Sequence, residues 1–234
     1  MTTKPLNFYV LGLIDYKKCF DLQNKIHDLC CRNKLGPTVL LVEHPPVITL
    51  GKNSKPENIR TSNQILQEKN IAIHCCNRGG EVTAHMPGQL VMYPILPLHL
   101  FNLNVRKYIH LLENTAIKTL RYFGVSSKKN ENYPGVWTQN KKICAIGVRI
   151  KNRVSMHGIA LNINNNLELY DHIIPCGIKD HSITTLSTSA SKAIGVNDVT
   201  LILIKNFTYF LDATIHHVIY NYNAENFFEK NLEK

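Results

Sequence analysis

Two runs of β-forming residues, separated by three polar residues, constrain this chain more than any other part of it. The first is Lys-Lys-Ile-Cys-Ala-Ile-Gly-Val-Arg-Ile (141–150) and the second Val-Ser-Met-His-Gly-Ile-Ala-Leu-Asn-Ile (154–163). The spacing predicts a β-hairpin with a short loop. Centred on Asn152, that hairpin would set Lys142 opposite Asn162 and Gly147 opposite His157. Gly147 and Gly158 weaken the strands they sit in, which suits a bulge or a place where something else approaches the backbone. The hairpin therefore reads as the wall of a site, with Lys142 at one end. Past a polar break, Ile-Ile-Pro-Cys-Gly-Ile (173–178) offers a thiol on an irregular segment, the kind of place where catalytic groups concentrate. The central expectation is a nucleophile, Cys176, paired with Lys142.

The rest of the chain frames that expectation. Its 234 residues suffice for one domain with a sizeable core, and 44% hydrophobic content excludes a disordered chain. The formal charge of +10 suits acidic partners, or reflects drift in a sequence rich in Lys, Asn and Ile. Lys17-Lys18, Lys128-Lys129 and Lys141-Lys142 are pairs only, so no basic stripe with interleaved aromatics points to nucleic acid. Seven cysteines, an odd number without Cys-x-x-Cys spacing, predict reduced thiols and a cytoplasmic protein. Neither a signal peptide nor a membrane span is expected.

Asp15 can cap a helix with apolar positions at Cys19, Leu22, Ile26, Leu29 and Cys30, stopped by Gly36-Pro37. Thr38 to Val42 and Val47 to Leu50 read as strands broken by Pro45-Pro46. The polar stretch from Gly51 to Asn70 predicts loop and a short helix, Ile71 to Ile73 a strand, and Leu90 to Leu96 another. Asn104 caps the clearest helix, apolar at Val105, Tyr108, Ile109, Leu112, Ala116, Leu120 and Phe123, with Gly124 as its stop. A last helix runs from about Asn197 to Leu211 with Leu201, Leu203, Ile204, Phe207 and Phe210 apolar. The fold class is α/β, a mixed β-sheet with flanking helices.

Reactivity at sulfur needs the thiolate, which a nearby cation stabilises; a desolvated neutral amine can instead take the proton. Lys142 could do either. Cys19, Cys30 and Cys144 lie on apolar faces and behave as small hydrophobes. Arg78-Gly79-Gly80 and Pro87-Gly88 surround Thr83 and His85; such a loop either frees backbone N–H groups to face a ligand or is simply a turn. Dinucleotide and phosphate-loop fingerprints are absent, which weighs against a nucleotide hydrolase. His85 and His157 lack the tight spacing of a metal set, so no metal and no cofactor are expected.

Six stretches then carry a resemblance. They are Glu43-His44-Pro45-Pro46-Val47 with Thr49-Leu50-Gly51; Arg78-Gly79-Gly80 through Thr83, His85 and Pro87-Gly88-Gln89; Gly135-Val136-Trp137; Lys142-Ile143 with Ile146-Gly147; His157-Gly158 with Ala160-Leu161-Asn162; and Pro175-Cys176-Gly177. In this order, over residues 38–187, the sequence resembles the lipoyl(octanoyl) transferases. The resemblance implies a fold similar to the catalytic domain of biotin and lipoate protein ligases. The whole chain, 1–234, would be a single catalytic domain, with a family-like core at 28–213 and a loosely ordered tail at 221–234. It implies transfer of octanoyl from octanoyl-acyl carrier protein, through a thioester on Cys176 tuned by Lys142, to a lysine of lipoyl domains. Such acceptors include 2-oxo-acid dehydrogenase subunits and the glycine-cleavage H protein. Substrate contacts would come from Arg78, Gly79, Gly80, Glu81, Val82, Thr83, Ala84 and His85, from Ala145, Ile146 and Gly147, and from His157, Gly158, Ile159 and Ala160. A monomer is implied. Met86 departs from the family's His-Gly-Pro-Gly-Gln, and a positive φ there would strain it. The competing readings are an ATP-dependent lipoate or biotin ligase, which needs no thiol, and a non-catalytic protein that binds the carrier or the lipoyl domain.

Overall fold

The computed structural model describes residues 4–175 and 182–220. Cys176 and the tail from Asn221 lie outside the described residues. Strand β1 (Lys4–Leu13) leads into helix α1 (Tyr16–Cys31), whose N-cap is Asp15, accepting from Lys18 N. Strands β2 (Thr38–Glu43) and β3 (Val47–Leu50) are parted at the two prolines and enter different sheets. The polar stretch that follows supplies α2 (Asn63–Glu68), then β4 (Ala72–Cys75), β5 (Val82–His85) and β6 (Gln89–Ile95). Helix α3 (Val105–Tyr122) starts at Asn104, whose side chain accepts from Lys107 N. It is followed by β7 (Lys128–Lys129), β8 (Gly135–Thr138), β9 (Lys141–Lys151) and β10 (Val154–Asn162). The short α4 (Leu186–Ala190), α5 (Val196–Leu211) and β11 (Ala213–Tyr220) complete the described chain.

Eight strands form one mixed sheet in the order β11-β1-β2-β6-β10-β9-β8-β7, and β4-β3-β5 form a second, smaller one. Helix α1 covers one face of the large sheet, where Cys19, Leu22 and Ile26 meet Leu40, Val42, Val91 and Tyr93. Helices α3 and α5 cover the other, packing Leu112, Leu120, Leu203 and Phe207 on Phe8, Val39, Leu41 and Met92. Strand β2 thus buries both of its faces, which is why its sequence is a continuous apolar run rather than an alternation. A third cluster (Ile48, Leu66, Val82, Ala84, Met86 and Tyr170 among others) lies under the small sheet.

The hairpin forms, with its register one residue from the expected one. Val154 pairs with Lys151 and Gly158 with Gly147, so His157 faces Val148. The loop is Asn152-Arg153, both at positive φ (52° and 63°). That is the two-residue turn whose twist matches a hairpin, whereas centring on Asn152 alone assumed three loop residues. Lys142 lies beyond the last β9–β10 pair, Leu161 with Cys144, so it does not oppose Asn162. In α5 the buried apolar positions are Val199, Leu203, Ile204, Phe207 and Leu211. Leu201, expected on the apolar face, is 51% exposed, because it lies two residues round from Val199 on a helix of 3.6 residues per turn.

Candidate active site

Between the two sheets, and against the first turn of α1, runs a cleft of about 170 Å³. Its floor comes from β9 and β10, which present Ala145, Gly147, Gly158 and Ala160; its roof comes from Thr83 and His85 of β5 together with Arg78. Strand alternation explains which expected residues reach it. Thr83 and His85 line the cleft, while Val82 and Ala84 pack in the cluster behind the small sheet. Gly80, Glu81, Ile146, His157, Ile159 and Lys142 also line it. Gly79 does not; its N–H is taken by Val148 O at 2.9 Å.

Lys142 reaches the cleft because of a bulge. Val136 pairs with Cys144 but Trp137 pairs with Lys142, so Ile143 is an extra residue on β9. Without it, strict alternation would turn Lys142 to the same face as Cys144, which is buried in the α3–α5 core with Ile143. An inserted residue re-aims the side chain that precedes it, a common use of bulges beside active sites. Lys142 is 8% exposed, with Nζ 5.5 Å from the centre of the Trp137 ring. Gly135 makes room for its stem: a Cβ there would lie 2.8 Å from Lys142 Cε. The backbone of Lys142 bridges to the segment after the Pro-Cys-Gly stretch, Lys142 N donating to Ser182 O (2.9 Å) and Thr184 N to Lys142 O (3.0 Å).

Arg78 is buried under the small sheet. Its Nη2 donates to Thr49 O (2.8 Å) and Thr49 Oγ1 (2.9 Å), and its Nη1 to Gly79 O (3.2 Å). The stem crosses Gly147, where a Cβ would stand 3.0 Å from Arg78 Cδ. Gly158 is crossed from the other side, a Cβ there falling 2.1 Å from Met92 O. Both glycines therefore mark close approach, as their place inside strands suggested.

The far end of the cleft is a cluster of rings. Tyr16 stacks on His85 (5.9 Å between centres), Phe20 on His157 (5.7 Å), and Tyr93 stands edge-on to His157 (6.4 Å). The hydrogen bonds fix the tautomers. Gln89 Nε2 donates to the Ala84 carbonyl, Asn162 Oδ1 and the Tyr170 hydroxyl, so Gln89 Oε1 accepts from His85 Nδ1–H at 2.7 Å. His44 Nδ1–H donates to Ile14 O (2.7 Å), leaving Nε2 to accept from the Tyr93 hydroxyl (2.9 Å). His157 Nε2–H donates to Asn77 Oδ1 (2.8 Å). Burial holds His44 at about 4, and burial with nearby positive groups holds His85 and His157 at about 3. All three are neutral at physiological pH. His157 also carries φ +56° within β10, a strained value for a residue with a Cβ; Gln23 Oε1 accepts its N–H at 3.1 Å.

Tyr16, Val91, Tyr93, Tyr133 and Pro134 line the cleft as well and were not among the expected residues. The signal for Tyr93 was a hydroxyl inside an apolar strand, which needs a partner when buried, and His44 supplies it. Met86 is free of the strain its position suggested: the positive φ falls on Gly88 (+85°). The Met86 side chain fills the small cluster, and its Sδ accepts from Asn165 Nδ2. Burial raises Cys30 and Cys144 to about 12 and Cys19 higher still, which fits packing rather than nucleophilic roles. Among the described residues, no three or more His, Cys, Asp or Glu side chains converge as a metal ion would require, and no helix is long and apolar enough to cross a membrane.

The model of the lipoyl protein ligase A/B catalytic domain matches residues 15–208. An octanoyltransferase of Caldicellulosiruptor bescii is 42% identical over 196 residues, covering 83% of this chain and 86% of that protein. The chain belongs to the octanoyltransferase family. It is an acyltransferase of protein lipoylation on the fold expected from its sequence. A bi-partite lipoate protein ligase from Thermoplasma acidophilum, solved in a study that includes its E2 lipoyl domain, superposes with TM-score 0.74 at 12% identity, covering 98% of this chain and 92% of that one. Biotin protein ligase from Aquifex aeolicus, in complex with biotin and ATP, superposes with TM-score 0.54 at 18% identity, covering 88% and 70%. At such identities the likeness is one of fold.

Proposed function

We propose that this octanoyltransferase works in two steps through a thioester on Cys176, with octanoyl-acyl carrier protein as donor and a lipoyl-domain lysine as acceptor. In the first step the Cys176 sulfur attacks the donor's thioester carbonyl, the new C–S bond forms and the carrier's C–S bond breaks. Lys142 takes the Cys176 proton and returns it to the departing carrier thiolate. In the second step the acceptor amine attacks the enzyme thioester, a C–N bond replaces the C–S bond, and Lys142 passes the amine's proton to the Cys176 thiolate. Thioester exchange is nearly isoenergetic and amide formation is downhill, so neither ATP nor a metal is required; ping-pong kinetics follow.

The observation that supports this reading is Lys142 itself. An extra residue turns it into a cleft lined mostly by apolar groups, and backbone bonds tie it to Ser182 and Thr184. Substrate contacts in this reading come from the cleft residues Arg78, Thr83, His85, Gly147 and Ala160. The protein acts as a monomeric, single-domain enzyme in the cytoplasm, and its acceptors are lipoyl domains of 2-oxo-acid dehydrogenase subunits and the glycine-cleavage H protein.

Intact mass after incubation with octanoyl-acyl carrier protein tests the mechanism. A hydroxylamine-sensitive octanoyl adduct is expected on the wild type and not on Cys176→Ser. Turnover that requires ATP and free octanoate, with no adduct, would move the protein to the ligases; no turnover in either condition would leave a binding protein.

A further inference from the structure

The cleft carries one side chain whose charge the acyl group gives no reason for. Of the described residues that line it, Arg78 and Lys142 are basic and Glu81 alone is acidic. His85 and His157 are neutral there at physiological pH. Glu81 stands at the opening: Gly80, Tyr133 and Pro134 are exposed and Glu81 is half-buried, whereas Thr83, His85, Tyr93 and His157 are buried. It is also braced beside the segment that carries the thiol. Asn58 Nδ2 donates to Glu81 Oε2 at 2.5 Å, and the Asn58 carbonyl accepts from Ile174 N at 2.8 Å. Cys176 follows Ile174 by two residues, at most roughly 7 Å of extended chain. Lys142 holds the same segment further on, through Ser182. One oxygen of the Glu81 carboxylate is thus taken by Asn58, and among the described residues none donates to the other.

We propose that Glu81 is the specificity residue for the second substrate: its carboxylate receives the ammonium of the acceptor lysine at the mouth of the cleft. The two substrates differ in one property that this position can read. The thioester end of the donor is neutral and gains nothing from an anion. The acceptor lysine is a cation in solution, with an ordinary pKa of about 10.4, and it enters a cleft that already holds Arg78 and Lys142. Glu81 offsets that third positive charge and accepts a charge-assisted hydrogen bond from the ammonium. The ammonium carries one proton more than the amine that attacks. That proton leaves to water at the open mouth before the C–N bond forms, and the next is the one Lys142 passes to the Cys176 thiolate. Glu81 acts in binding, and no proton ends on it.

The proposal rests on the transferase reading, and its test separates the two half-reactions. Glu81→Gln keeps an oxygen for Asn58 and removes the charge; Glu81→Asp keeps the charge. A hydrogen bond to a charged group is worth about 10- to 100-fold in affinity. With octanoyl-enzyme formed beforehand, KM for an isolated lipoyl domain should rise by about that factor in Glu81→Gln and by less in Glu81→Asp. Formation of the octanoyl-enzyme from octanoyl-acyl carrier protein, followed by intact mass, brings no ammonium and should be affected less than transfer. Equal losses in both half-reactions, loss in neither, or a larger loss in the first overturns the proposal. Wild type supplies a second measurement, independent of how the variants fold. Lipoyl domains with the acceptor lysine trimethylated (charge kept) or acetylated (charge removed) are compared as inhibitors of transfer. The trimethylated domain should inhibit severalfold more strongly; equal inhibition overturns the proposal. A wild type that forms no octanoyl-enzyme overturns the transferase reading, and this proposal with it.

Discussion

Asn162 and Lys142 are tied to the same residue, Thr184. The Asn162 side chain donates through Nδ2 to the Thr184 carbonyl at 3.2 Å, and Thr184 N donates to the Lys142 carbonyl at 3.0 Å. The other end of the Asn162 amide accepts from Gln89 Nε2 at 2.9 Å, and Gln89 Oε1 accepts from His85. One buried amide chain therefore connects a cleft histidine with the strand end that bears Lys142.

Removing Asn162 breaks that chain in its middle. Asn162→Ala leaves the Thr184 carbonyl without its donor in a site that is 3% exposed at Asn162, at a cost of about 1–3 kcal/mol, while the Gln89 amide keeps the Ala84 carbonyl and the Tyr170 hydroxyl as acceptors. Urea unfolding should show a loss of roughly 1–3 kcal/mol on that basis, and the octanoyl-transfer rate should fall at least tenfold. Asn162→Asp keeps the acceptor for Gln89 but cannot donate to Thr184, so it should recover stability in part and rate very little. Equal rates for wild type and Asn162→Asp would show that the Thr184 bond does not matter to Lys142.

Lys142→Arg places a guanidinium beside Trp137 and removes the capacity to act as a base, since a guanidinium does not lose its proton in proteins. Initial rates against pH should fall by two orders of magnitude or more and lose any pH dependence that belongs to Lys142. An unaltered pH–rate profile would sink the proton-transfer role.

These two side chains show how far the sequence alone could be read. Local signals were legible: Asp15 and Asn104 as caps, Pro45-Pro46 as a break between strands, and Gly147 and Gly158 as sites of a bulge or a close approach all follow from rules acting within a few residues. Side-chain facing was less so, because a single inserted residue inverts it. Ile143 turns Lys142 toward the cleft, and the two-residue turn at Asn152-Arg153 moves the hairpin register by one. Alternation within Val82–His85 likewise sends Val82 and Ala84 away from the cleft. Strand β11 had no local signal strong enough, as its residues are largely exposed and its partner is β1, some two hundred residues earlier. Tyr93 and His44 meet across 49 positions, a pairing that only tertiary structure brings about.

Gly158 offers a steric prediction. A Cβ at that position would stand 2.1 Å from the Met92 carbonyl oxygen and 2.7 Å from Pro94 Cδ, and the neighbouring backbone is locked in the β6–β10 ladder. Overpacking of this kind costs about 1–3 kcal/mol or more. Gly158→Ala should therefore lower the midpoint of thermal unfolding by several degrees, on the order of 2–4 °C per kcal/mol for a chain this size. Gly36→Ala, where nothing lies within 4 Å of the added carbon, serves as the control and should leave it within a degree or so. Equal midpoints for the two variants would mean that β6 and β10 can separate without penalty.

The basic surface makes a prediction about encounter. With a formal charge of +10, the protein should draw an acidic donor or acceptor by long-range attraction, which salt screens over about 10 Å at 0.1 M. Raising the salt from ~0.02 to ~0.3 M should lower kcat/KM for octanoyl-acyl carrier protein severalfold, with little change in kcat. A salt-independent kcat/KM would leave the charge without a role in docking.

The buried histidines set the response to acid. Burial lowers His44 to about 4 and, with nearby positive groups, His85 and His157 to about 3, all below the unfolded value near 6.5. Between those limits the unfolded chain binds more protons than the folded one, so stability rises with pH there. The contribution is complete above about pH 6.5 and is lost as pH falls toward 4 and then 3. Each histidine that stays neutral adds a slope of about 1.4 kcal/mol per pH unit. Urea unfolding at pH 7.5, 6, 5 and 4.5 should therefore show stability nearly flat from 7.5 to 6.5 and falling steeply below. Replacing His44 by glutamine should flatten the fall by about one such slope, because one fewer buried imidazole remains to be protonated on unfolding. A wild-type stability independent of pH across that range would mean that these rings are protonated in the folded protein, and Tyr93 could not then donate to His44.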